Sequence, residues 1–145
     1  MQVVDTNILI NAINARDPDH PRCARLLQSF ADGAMPWYTT WGVIYEFLRL
    51  VTHPRILPSP LTASEGWEVI NRMMREGGLR VLLATPAHAH VLSELLVVMP
   101  ELRGNVMHDV ETVALMREHG ISRIITRDTD FHRFAGIEVV DPVAA

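Results

Sequence analysis

The segment Gln2-Val3-Val4-Asp5-Thr6-Asn7-Ile8-Leu9-Ile10 reads as a short apolar strand that turns, through three polar side chains, directly into a helix. The same strand-then-helix alternation recurs along the chain. Strands are expected at 2–5, 37–39, 79–83, 123–126 and 138–140. Helices are expected at 6–14, 21–30, 41–51, 63–75, 87–99 and 106–119, with a short helix around 129–134. His53-Pro54 and Pro58-Ser59-Pro60 break the chain ahead of the fourth helix, Thr62 or Ser64 offers it a cap, and Gly77-Gly78 ends it. Such alternation predicts an α/β fold, a mostly parallel sheet of four to five strands with helices on both faces. No repeat, low-complexity tract or Gly/Ser-rich linker interrupts it, and 145 residues fit one domain that needs no covalent staples.

In an open parallel sheet, ligands bind beyond the carboxyl ends of the strands, near the point where strand order reverses. Asp5 and Asp128 fall at such ends. Asp109 falls in the first turn of the expected helix 106–119, where the helix dipole favours an ionised carboxylate. Each acid also has a plainer explanation. Asp5-Thr6-Asn7 reads equally as a helix cap, and one of Asp128 and Asp130 as the cap of a turn. Glu46 flanks the apolar face formed by residues 43, 44, 47, 48 and 51, where a solvated pair with Arg49 at i,i+3 is the simpler account. Asp109 is harder to explain structurally, because it shares its arc with Val113 and Met116 and would be partly buried without a partner.

Composition narrows the chemistry. All 13 basic residues are arginine, so Schiff-base catalysis, a Walker-type phosphate loop and lysine-assisted aspartyl-phosphate sites lack their central amine. Carboxylates gathered without lysine imply a divalent cation. The seven histidines form no zinc spacing, and His88 and His90 read as the start of a helix. Cys23, the only cysteine, permits no internal disulfide and reads as a small core residue. Trp37, Trp41, Trp67 and the methionines read as core or interface and not as a stacking platform. Met1 leads straight into the first strand without a leader-like segment, and the longest apolar run, Leu95–Met99, is too short to span a bilayer. A soluble cytoplasmic protein with no membrane partner is expected. The net charge of -4 argues against indiscriminate nucleic-acid binding, although it includes the carboxylates that a metal would mask.

Taken in order, Val-Val-Asp-Thr-Asn, then Glu-Phe-Leu-Arg on a helix, then Gly-Asn-Val-Met-His-Asp, and finally Thr-Arg-Asp-Thr-Asp-Phe form a recognisable whole. The chain resembles the PIN-domain ribonucleases, specifically the VapC-type toxins of type II toxin-antitoxin pairs. The resemblance extends through His119-Gly120-Ile121 and from Phe134-Ala135-Gly136-Ile137 to Asp141-Pro142, so residues 1–145 are expected to form one PIN domain with a three-layer α/β/α sandwich. It implies that Asp5, Glu46, Asp109 and Asp128 are the catalytic, metal-binding acids, with Asn7 and Thr126 orienting them and Asp130 in a supporting place. The implied activity is a toxic endoribonuclease that uses Mg2+ or Mn2+ to activate water and leaves a 5'-phosphate and a 3'-hydroxyl. Implied partners are the RNA substrate, a cognate antitoxin that inhibits the site, and a second copy of the chain in a homodimer and toxin-antitoxin hetero-oligomer. Arg49, Arg103, Arg127 and Arg133 near the expected rim suit bidentate phosphate contacts, though each reads equally as a surface charge. A translation inhibitor that binds RNA without cutting it fits the same residues.

Overall fold

A computed structural model of the chain describes residues 1–144. Five strands, β1 (Gln2–Val4), β2 (Trp37–Thr40), β3 (Leu79–Leu82), β4 (Arg123–Ile125) and β5 (Glu138–Val140), form one sheet in the order β3-β2-β1-β4-β5. Every pairing is parallel. Val3 lies opposite Tyr38 of β2 on one side and Ile124 of β4 on the other, while Leu79 to Leu82 run alongside Trp37 to Thr40. The chain therefore winds outward from β1 through β2 to β3, returns to β4 on the opposite flank, and finishes at β5. The reversal falls between β1 and β4, and Asp5 and Thr126 are the first residues beyond their carboxyl ends.

Six helices cover the sheet: α1 (Thr6–Ile13), α2 (His20–Asp32), α3 (Trp41–Val51), α4 (Ala63–Glu76), α5 (His88–Val98) and α6 (Met107–Glu118). Neighbouring strand residues point to opposite faces, so each strand feeds two cores. Val4, Leu79 and Ile125 pack with Ile8, Leu9, Cys23, Ile44, Phe47 and Ile70 from α1 to α4. Val3, Leu82 and Ile124 pack with Leu95 of α5, Val113 and Met116 of α6, and Phe131 and Phe134. The expected three-layer sandwich is thus present, its sheet fully parallel and of five strands. Cys23 is completely buried, as a small core residue would be. Among the described residues no helix is long and apolar enough to cross a membrane.

Element ends follow local chemistry. Thr40 caps α3, its hydroxyl accepting from the Val43 N–H at 3.0 Å. Of the two candidates at α4, Thr62 is the cap, and Glu65 returns a bond to its N–H to complete a capping box. One expectation shifts: a 3-10 turn at Gly104–Val106 precedes α6, entered through Gly104 at a φ of +71°. The short helix after β4, expected at 129–134, is also 3-10, over Thr129–Arg133. His88 pairs with Glu118 at 2.5 Å, tying the start of α5 to the end of α6.

Candidate metal centre

The junctions at the carboxyl edge of the sheet open into a cavity of about 1090 Å³. Asp5, Asn7, Glu46, Asp109, Asp128 and Asp130 all line it, although they come from four separate places in the fold. Carboxylate oxygens of Asp109, Asp128 and Asp130 lie within 4.8 Å of one another. Asp130, expected in a supporting place, thus sits in the tightest acidic group, while Asp5 and Glu46 face the cavity beside it.

Asp5 is the most firmly held. Its Oδ1 accepts from the Thr6 N–H at 2.8 Å, so it does cap α1, and its Oδ2 accepts from the Thr126 hydroxyl at 2.7 Å and from the Asn7 amide at 3.3 Å. Thr126, fully buried, also accepts from the Asn7 amide at 3.1 Å and the Asp128 N–H at 3.0 Å. The Asn7 side-chain Oδ1 accepts from the Arg127 backbone N–H at 3.1 Å, closing a network that locks the β1 and β4 ends together. Asp128 caps the turn after β4 by accepting from the Asp130 N–H at 2.9 Å. Capping and cavity-lining therefore coincide: each cap orients a carboxylate that also lines the cavity.

Glu46 realises the simpler reading too. Arg49 grips it with two bonds, Nη2 to Oε1 at 2.7 Å and Nε to Oε2 at 3.3 Å, while both side chains line the cavity. Of the arginines expected at the rim, Arg49 lines the cavity. Arg127 pairs with Asp19 and reaches Asp141 at 3.5 Å, and Arg103 is exposed ahead of the 3-10 turn. Arg133 acts on Asp109 through its charge.

Charge in the cavity is under-compensated. Burial, reinforced by the negative charges of Asp128, Asp5 and Asp130 and only partly offset by Arg133, pushes the Asp109 carboxyl up to about 7. Asp109 lies in the first turn of α6, where the helix dipole favours an ionised carboxylate and so works against this rise. Burial likewise raises Asp5 despite the bonds from Thr126 and Thr6. Oxygen-only donors, half-buried and mutually repelling, suit a hard divalent cation such as Mg2+ or Mn2+ and offer nothing to a soft one.

Residues not singled out from sequence also line the cavity, among them Asn105, His108, Glu111 and Tyr45. Glu111 stands two residues after Asp109 in α6, and its carboxylate packs against Gly42, where an added Cβ would lie 2.9 Å from Oε1. Its only sequence signal was a second acid near Asp109. Whether that acid faces the cavity depends on how α6 lies on α3.

The family profile of the PIN domain matches residues 3–137. The chain belongs to the PIN-domain family. Ribonuclease VapC48 of Mycobacterium tuberculosis is 33% identical over 145 residues, covering 97% of each chain. Ribonuclease VapC37 of the same species is 28% identical and covers 99% of each. Among solved structures, this PIN fold is similar to the sarcin-ricin loop cleaving toxin VapC20 of Mycobacterium tuberculosis, with a TM-score of 0.67 at 24% identity, covering 92% of this chain and 94% of that one. It is similar as well to VapBC2 of Rickettsia felis, solved with a DNA fragment from its promoter, with a TM-score of 0.69 at 15% identity and 96% of each chain covered.

Proposed function

We propose that this PIN-domain protein, read as one domain over residues 1–145, is a Mg2+- or Mn2+-dependent endoribonuclease acting as the toxin of a toxin-antitoxin pair. The observation that carries the reading is the convergence of Asp5, Glu46, Asp109, Asp128 and Asp130 on one cavity in a chain without lysine. The relatives named ribonuclease share nearly the full length of the chain. Asp109 and Asp128, with Asp130 grouped beside them and Asp5 facing them, would hold the cation, and Glu46 would complete the acidic wall. A divalent ion in such a place supplies positive charge to phosphoryl oxygens and makes water more acidic.

The chain's own residues do the rest. Thr126 and Asn7 fix the Asp5 carboxylate before any ligand arrives, so little reorganisation is required on binding. The Asp128 carboxylate is fixed by its turn cap, and Asp109 is positioned by the start of α6. Asp109, raised toward neutral pH, gives up its proton easily once positive charge enters the cavity. Glu46 holds Arg49 at the rim, where the arginine side chain is 67% exposed and suited to a substrate phosphate. Arg103, Arg127 and Arg133 would contact the backbone farther out. A cognate antitoxin that covers the acidic cavity, a homodimer and residence in the cytoplasm complete the reading.

Purified protein, freed of any partner, should cleave labelled RNA with Mg2+ or Mn2+ and stop in EDTA. Asp5→Asn and Asp109→Asn should each lower the rate by at least about a hundredfold. RNA that stays intact at concentrations where it is bound would show a translation inhibitor that binds without cutting.

A further inference from the structure

Alongside the acids, α3 carries a second chemical surface. Trp41, Tyr45 and Arg49 recur at four-residue intervals and so form one stripe along the helix, with Glu46 beside it. The three tryptophans divide sharply: Trp37 is 2% exposed and its indole N–H donates to the Gly77 carbonyl at 2.6 Å, whereas Trp41 is 40% and Trp67 36% exposed. Trp67 lies against Trp41 with centroids 6.0 Å apart and planes 25° from parallel, and Tyr45 meets Trp41 at 6.4 Å. Close approach of α4 to α3 makes this possible. A Cβ on Gly66 would lie 3.0 Å from Val51 and 3.1 Å from Leu48, so Gly66 lets the helices touch and delivers the next residue, Trp67, onto Trp41. Tyr45 is 70% exposed and lines the same cavity as the acids.

Three aromatic rings held at the surface lose area that burial would stabilise, and their arrangement suits flat, apolar ligands with an open π face. Bases of a nucleic acid present that face only when unpaired, because a duplex hides it in the stack. We propose that Trp41, Tyr45 and Trp67 form a base-stacking subsite, which takes an unpaired RNA base next to the phosphate held at the acidic cavity. This inference rests on the nuclease reading of that cavity. Arg49, four residues beyond Tyr45 on the same stripe, also lines the cavity, and its exposed side chain would meet the adjoining phosphate. An aromatic platform accepts any base, so it selects for unpaired structure and for a distance from the cut more than for sequence. Trp37 is core, as expected of the tryptophans, whereas Trp41 and Trp67, which face each other between α3 and α4 and remain partly exposed, would under this proposal also serve as a stacking platform.

The test titrates labelled single-stranded RNA and a blunt duplex of the same sequence into the full chain in EDTA, which separates binding from hydrolysis. Anisotropy and tryptophan fluorescence report on the complex. The single strand should quench the fluorescence and the duplex should not. Tyr45→Ala and Trp67→Ala should each weaken single-strand binding about tenfold, and Tyr45→Phe should restore it. Thermal melts of each variant confirm that it folds. Equal affinity of Tyr45→Ala and wild type, or equal affinity for strand and duplex, overturns the subsite. So does a Tyr45→Ala protein that binds RNA normally but no longer self-associates or captures a co-expressed antitoxin, for then the rings are a protein-docking face. With Mn2+ added, wild-type cleavage with an unchanged KM in Tyr45→Ala removes the subsite and leaves the nuclease reading intact. A wild-type chain that neither binds nor cuts RNA removes both.

Discussion

At the scale of single residues, the site is built at the expense of stability. Asp109 has an ordinary carboxyl value of 3.8 and is held at about 7 in the folded protein, so between those limits the native state binds more protons than the unfolded one. Stability in the absence of a cation therefore falls as pH rises through that window, and the deficit is complete above it. Full conversion of the difference would be ~4 kcal/mol, and solvent in the open cavity screens it to about 1–2 kcal/mol. Asp109→Asn removes the ionisable group while keeping its shape. Urea unfolding in EDTA should find this variant about 1–2 kcal/mol more stable than wild type at pH 8 and nearly equal at pH 4. A variant less stable than wild type at pH 8 would mean that Asp109 is compensated by a partner and that the charge argument is wrong.

At the scale of elements, what was legible depended on whether local chemistry or packing sets the feature. The span Trp41–Val51 of α3 was readable to the residue because its cap and its terminating Thr52-His53-Pro54 are local. The same holds for Asp5 and Asp128, whose place at strand ends follows from where apolar runs stop. The Gly104–Val106 turn blurred the start of α6, since its residues could have extended the helix and only the positive φ of Gly104 decides otherwise. Glu111 and the Trp41–Trp67 pair were not readable, because which arc of a helix meets solvent, cavity or neighbour is decided between elements. Local caps still matter to the site. The buried Thr40 hydroxyl satisfies the Val43 N–H and so sets the entry of the helix that carries Tyr45, Glu46 and Arg49. Thr40→Ala should cost about 1–2 kcal/mol in urea unfolding, with Thr40→Ser recovering most of it. Equal losses in the two variants would show that the methyl group matters there and the cap does not.

At the scale of the whole molecule, the acidic cavity joins distant parts of the chain. Asp5 begins the first half of the fold, Asp109 and Asp128 belong to the second, and Thr126 ties Asp5 to the β4 end across 121 residues of sequence. In the unfolded chain these carboxylates are dispersed and bind a divalent ion weakly, so a cation that selects the assembled cavity must stabilise the fold by mass action. At a hundred times its dissociation constant, that linkage amounts to about 2.7 kcal/mol, a rise of roughly 5–10 °C in Tm for a chain of this size. The increment should depend on pH in the sense opposite to the cation-free protein. At pH 8 Asp109 is already ionised and repelled by its neighbours, so Mn2+ relieves the repulsion; at pH 5.5 the ion must first displace a proton, and the shift shrinks. Differential scanning fluorimetry with Mn2+ against EDTA at both pH values measures this without any RNA, and Asp128→Asn should lose the increment at both. A Tm that ignores Mn2+ at pH 8, or rises equally in Asp128→Asn, would mean that the ion does not bind where the five acids converge.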